Sequence, residues 1–115
     1  MRGSCGCGRV NYELIRRPMF VHACHCKNCQ TQTGGPFALN AILEKENLNL
    51  ISGDLQPFKM ATGSGLGQTV FRCSKCYVAT WGHYAAAGYD FVYIRVGTLD
   101  DPSICRADVH LFTKS

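Results

Sequence analysis

The chain has 115 residues, 46% of them hydrophobic and 17% charged, with a formal net charge of +4. That length suits one domain over residues 1–115 with a modest core, and the absence of low-complexity or highly charged runs excludes a disordered chain. No stretch approaches the roughly 18 consecutive apolar residues of a membrane span. Asn11, Glu13, Arg16 and Arg17 also interrupt any signal-like N-terminal segment, so the sequence reads as a soluble intracellular protein, cytoplasmic or nuclear.

The dominant period is two. Val10, Tyr12 and Leu14 alternate with Asn11 and Glu13, which predicts a strand, and Phe20 to Cys24 predicts a second one ending on a cysteine. Lys27 to Thr33 looks helical for about two turns before Gly34-Gly35-Pro36 stops it. Phe37 to Leu43 reads as a more apolar strand, followed by a turn at Glu44 to Asn47 and a short strand at Leu48 to Ile51. After a turn at Ser52-Gly53-Asp54, Phe58 to Ala61 is expected to pair with Gln68 to Cys73 across Thr62 to Gly67. Tyr89 to Val96, rich in β-branched and aromatic residues, carries the strongest strand signal. A turn at Asp100-Asp101-Pro102 precedes a last strand at Ala107 to Phe112. The expected fold class is all-β: a small domain of short antiparallel sheets with one short helix and metal knuckles.

The chemistry lies in eight cysteines, spaced as Cys5-x-Cys7, Cys24-x-Cys26-x-x-Cys29, Cys73-x-x-Cys76 and a lone Cys105. Without an export signal the thiols stay reduced, and cysteines two or three apart aim their sulfurs at one spot, as a small tetrahedral ion requires. Two pairs, such as Cys5/Cys7 and Cys73/Cys76, supply four thiolates and a closed structural zinc site, whereas Cys24, Cys26 and Cys29 supply three and leave a position open. Spacing alone equally admits Cys5/Cys7 paired with Cys24/Cys26, or Cys105 or His25 as a fourth ligand. Seven thiolates on two Zn²⁺ would lower the net charge from +4 to about +1. The basic residues are scattered, with Arg16-Arg17 the one adjacent pair. No basic stripe is present, and nucleic acid is not an expected partner.

Three segments in order carry a resemblance: Gly3-Ser4-Cys5-Gly6-Cys7-Gly8-x-Val10-x-Tyr12-Glu13, then Cys24-His25-Cys26-x-x-Cys29-Gln30-x-x-x-Gly34, then Phe71-x-Cys73-x-x-Cys76. The pattern resembles the glutathione-dependent formaldehyde-activating enzyme family, which includes centromere protein V. The resemblance implies a β-tent fold, a structural zinc on Cys5, Cys7, Cys73 and Cys76, and a catalytic zinc on Cys24, Cys26 and Cys29. It implies carbon–sulfur lyase chemistry on glutathione–formaldehyde adducts of the S-hydroxymethylglutathione type. The centromere relative suggests an alternative, a zinc-stabilised non-catalytic module for chromatin or a protein partner. Tyr77 departs from the family pattern, standing where glycine usually follows the second knuckle cysteine. The sequence ends at Ser115, where family members typically continue through a Trp-containing segment.

Three thiolates weaken the Lewis acidity of a zinc ion, so such a site suits presenting an incoming thiol as a nucleophile better than activating water. Other residues take blander readings. His22, His83 and His110 read as exposed or structural histidines, and His25 as pointing away from the ion between its two neighbours. Cys105 reads as a small buried thiol. Trp81 and Tyr84 read as core residues, one of them available to line a cleft. Gly63 to Gly67 lacks the Lys-Ser/Thr of a phosphate loop and reads as a hairpin, and Arg9, Lys27 and Lys59 read as surface cations within reach of glutathione's carboxylates.

Overall fold

Alternation of apolar and polar side chains resolves into ten strands in a computed structural model that describes residues 1–62, 64–104 and 109–111. In chain order these are β1 (Arg2–Ser4), β2 (Asn11–Leu14), β3 (Phe20–Cys24), β4 (Ala38–Glu44), β5 (Leu48–Ser52), β6 (Leu55–Met60), β7 (Gln68–Cys73), β8 (Ala79–Tyr84), β9 (Phe91–Arg95) and β10 (Val109–Leu111). The helix α1 (Lys27–Thr33) lies between β3 and β4. The fold is mainly β, as expected. A three-stranded sheet runs β1-β2-β5, and a seven-stranded sheet runs β10-β3-β4-β9-β8-β7-β6. Among the described residues all strand pairings are antiparallel except β10 with β3, which is parallel.

The core lies between the two sheets. Val21, Ala41, Ile94 and Trp81 are successive partners across β3, β4, β9 and β8, and all four are buried. Tyr12 and Leu14 of the small sheet pack onto them, with the Tyr12 and Trp81 rings meeting edge-on at 5.2 Å. Such a pair contributes about 1 kcal/mol beyond the area it buries. The Tyr12 hydroxyl bonds Thr98 Oγ1, which in turn donates to the Arg95 carbonyl. Because side chains alternate across a strand, the rows neighbouring this one present the opposite face. His22, Asn40 and Arg95 are partners in one such row, and Tyr93 and Gly82 in another. That second face is the one on which Cys24 also stands.

Several expectations change. β6 begins at Leu55, three residues before the predicted Phe58, and takes in Pro57. It is an edge strand, where a missing N–H costs little. β1 and β8 were not anticipated; β8 carries Gly82 and is held by neighbours on both sides rather than by its own propensity. Tyr89 to Val96 shortens to β9, and Val96–Thr98 becomes a 3-10 turn. β10 falls within the predicted Ala107 to Phe112; the remainder of that stretch, Gly63 and Cys105 lie outside the described residues. Among the described residues no helix is long and apolar enough to cross a membrane.

Candidate metal centres and the adjoining cavity

The cysteines gather into two separate groups: Cys5, Cys7, Cys73 and Cys76, and Cys24, Cys26 and Cys29. Within each group every sulfur lies within 4.8 Å of the others. All seven are free thiols. The sulfurs stand 3.5 Å apart in Cys5–Cys7, 3.7 Å in Cys7–Cys73 and 3.5 Å in Cys24–Cys26. Disulfide sulfurs would be about 2.05 Å apart, whereas the edge of a tetrahedron with metal–sulfur bonds of about 2.3 Å is about 3.8 Å. The spacing is that of ligands around an ion.

Local folding explains the four-cysteine group. Cys5 leaves β1 into a loop closed by its own N–H on the Val10 carbonyl, while the Val10 N–H donates to Cys5 Sγ at 3.3 Å. Cys73 ends β7, and its sulfur accepts the N–H groups of Lys75 and Cys76 at 3.3 and 3.4 Å. The knuckle closes with Tyr77 N–H on the Cys73 carbonyl, and this places Tyr77 at φ 60°. A glycine at this point would avoid the left-handed strain that a tyrosine side chain meets. The departure therefore keeps the turn and strains it. Burial opposes ionisation of Cys5, yet the Val10 amide and neighbouring thiols outweigh it and lower its pKa to about 6. The Arg9 amide favours the Cys7 thiolate, but burial and the three surrounding cysteines prevail and push its pKa up to about 11. Four sulfurs this close ionise together only around a cation.

The three-cysteine group straddles the junction of β3 and α1. Cys24 ends the strand; Cys26 is the helix N-cap, its sulfur accepting the Cys29 N–H at 3.4 Å; Cys29 lies one turn into the helix. Gly34, at φ 70°, ends the helix with its N–H on the Gln30 carbonyl. Burial raises the Cys24 thiol and, with its two neighbours, raises Cys29 further. For Cys26 burial also opposes ionisation, but the Cys29 amide and both thiols overcome it and lower its pKa. The same donor chemistry again calls for a cation.

This group opens onto a cavity of about 790 Å³. Besides the three cysteines, its walls include His22, Lys27, Gln68, Tyr84 and Tyr93. Among the described residues no carboxylate lines it, and Lys27 is the one lysine or arginine that does. Burial first, and then the neighbouring Cys29 sulfur, push the Tyr84 phenol far above its ordinary value; burial also raises Tyr93. Burial, followed by the Arg95 charge, holds the His22 pKa below its ordinary value.

The groupings exclude the mixed pairing of Cys5/Cys7 with Cys24/Cys26. His25 is in neither cluster, and its ring lies 5.0 Å from that of Phe37. Trp81 packs in the core and Tyr84 lines the cavity. His83 is structural, with Nδ1 donating to the Phe91 carbonyl at 2.8 Å. Of the three cations, Lys27 reaches this cavity, while Lys59 lines a smaller one of about 290 Å³ on the β6–β7 side. Sequence reasoning read His22 as exposed or structural, and it is buried against Asn40, but that reasoning did not place His22, Gln68 or Tyr93 on the cavity wall. The one available signal was parity, since His22 and Cys24, two residues apart on a strand, share a face.

A protein of Rhodobacter sphaeroides, known from its crystal structure, shares the fold at a TM-score of 0.69 and 20% identity, over 96% of this chain and 99% of that one. No curated protein matches the sequence at a significant level. The sequence model of the glutathione-dependent formaldehyde-activating enzymes matches residues 1–115, and with both cysteine groups in place the chain belongs to that family.

Proposed function

We propose that the chain, acting as one domain over residues 1–115, is a zinc-dependent carbon–sulfur lyase that joins and parts glutathione and an aldehyde through S-hydroxymethylglutathione-type adducts. Cys5, Cys7, Cys73 and Cys76 hold a structural zinc, and Cys24, Cys26 and Cys29 hold the reactive one. The observation that carries this reading is the cavity of about 790 Å³ onto which the three-cysteine group opens, a feature a purely structural knuckle does not need. It favours an enzyme over the non-catalytic binding module.

Zinc bound by three thiolates supplies a weakly acidic metal with one open position, suited to favouring the thiolate form of an entering thiol. The chain does the rest. Lys27 stands where a glutathione carboxylate can meet a cation, and no carboxylate among the described wall residues opposes that attraction. In the direction of addition, sulfur attacks the carbonyl carbon, the carbon–oxygen π electrons move to oxygen, and oxygen gains a proton equivalent to the one the thiol gave up. Adduct cleavage is the reverse. Cys26→Ser is expected to abolish release of formaldehyde from S-hydroxymethylglutathione, with the circular-dichroism spectrum retained. Undiminished release by that variant would overturn the proposal.

A further inference from the structure

His22 is the polar residue of the cavity wall whose hydrogen bonding is most tightly specified. It is 93% buried, standing at 7% exposure, and its Nε2 lies 3.0 Å from Asn40 Nδ2. The direction of that bond follows from a third residue. Arg95 Nη1 lies 3.1 Å from Asn40 Oδ1, and a guanidinium only donates. The Asn40 amide is thereby oriented with Oδ1 toward Arg95 and Nδ2 toward His22. An amide nitrogen only donates as well, so His22 Nε2 accepts, and the hydrogen of the neutral imidazole resides on Nδ1.

The chain of bonds is anchored at its far end. Arg95 Nη2 also donates to Gln32 Oε1 at 3.0 Å, tying β9 and β4 to the helix that carries Cys29. The rings of Phe20 and Tyr93, 6.3 and 5.9 Å away by centroid, fix the plane of the imidazole. His22 Nδ1 has no partner among the described residues, yet no buried side-chain nitrogen or oxygen there goes unsatisfied. Nδ1 therefore keeps some exposure, and the surface that His22 shares with Cys24, Cys26 and Cys29 is the wall of the cavity.

We infer that the Nδ1–H of His22 is a preorganised hydrogen-bond donor for the substrate's oxygen: the carbonyl oxygen of the aldehyde and the hydroxyl oxygen of the adduct. The inference rests on the proposed glutathione–aldehyde chemistry and assigns the site that takes its oxygen. As sulfur adds, the π electrons move onto oxygen and Nδ1–H meets the growing charge. The imidazole keeps its proton, and the oxygen acquires its own from the proton the thiol released. In cleavage the hydroxyl proton leaves, the carbonyl re-forms and the carbon–sulfur electrons return to sulfur. A fixed donor beside a developing oxyanion is worth on the order of 100-fold in rate. Asn40 and Arg95 are positioning residues, since they act through His22.

The test uses the metal-loaded full chain. Side-chain ¹⁵N spectra should show His22 protonated on Nδ1, with the resonance assigned by its loss in His22→Phe. In His22→Phe, kcat for adduct cleavage should fall about 100-fold, with metal content and affinity for S-methylglutathione, which lacks the oxygen, unchanged. His22→Asn, whose amide N–H falls close to the position of Nδ1–H, should recover part of the loss. A proton on Nε2, or an undiminished kcat in His22→Phe, overturns the inference alone. If the wild type neither binds S-methylglutathione nor cleaves adduct, the glutathione reading fails, and the role of His22 with it, even where the proton is found on Nδ1. Should His22→Phe not fold, the resonance is assigned by its loss in His22→Asn, and the position of the proton in the wild type decides.

Discussion

Cys73→Ser should unfold this protein more readily than any substitution in the other cysteine group, because of where the two groups sit along the chain. Cys73 is buried at the end of β7 and meets Cys7, 66 residues away in sequence, at 3.7 Å. A metal held between them closes a loop of that length, and the chain entropy such a cross-link removes from the unfolded state is worth about 4 kcal/mol. Small domains are stable by about 5–15 kcal/mol, so the loss takes a large part of the whole. At about 4 °C per kcal/mol, the melting temperature should drop by roughly 15 °C. Cys24, Cys26 and Cys29 span six residues, and the same reasoning gives on the order of 2 kcal/mol. Cys26→Ser should therefore lower the melting temperature by half as much or less. Calorimetry of both variants beside wild type, with zinc counted in each, makes the comparison. Equal drops, or a Cys73→Ser protein that keeps two zinc ions per chain and melts within about 3 °C of wild type, would refute the assignment of the four-cysteine group as the structural cross-link.

Three further outcomes follow from particular contacts. Tyr77→Gly relieves a left-handed φ of 60° and should stabilise the protein by about 1 kcal/mol, read as a higher urea midpoint with unchanged metal content. Tyr12→Phe deletes the bond to Thr98 and should cost about 1 kcal/mol by the same measurement, since Thr98 keeps its bond to the Arg95 carbonyl. Lys27→Glu replaces a lysine of the cavity wall with a carboxylate; affinity for S-methylglutathione should fall about fivefold at low salt, less at high salt, with kcat little changed.

The sequence alone determined what short-range geometry dictates. Cysteines two or three apart must converge, so the clusters were legible as ligand sets, and the alternation of Phe20 to Cys24 and the glycine stop after Thr33 marked β3 and α1. β8 was not legible, because Ala79 and Gly82 dilute its strand signal and its conformation comes from β7 and β9 on either side. Tertiary structure alone decided which cysteine pairs meet: the turn after β1 and the knuckle after β7 are brought together by sheets formed from distant segments, and no spacing rule encodes that. It also decided the state of His22, since the direction of its hydrogen bond is fixed by Asn40 on the next strand and Arg95 on the one beyond. Local patterns specify what a segment can offer; contacts across the sheet specify which atom of it faces the substrate.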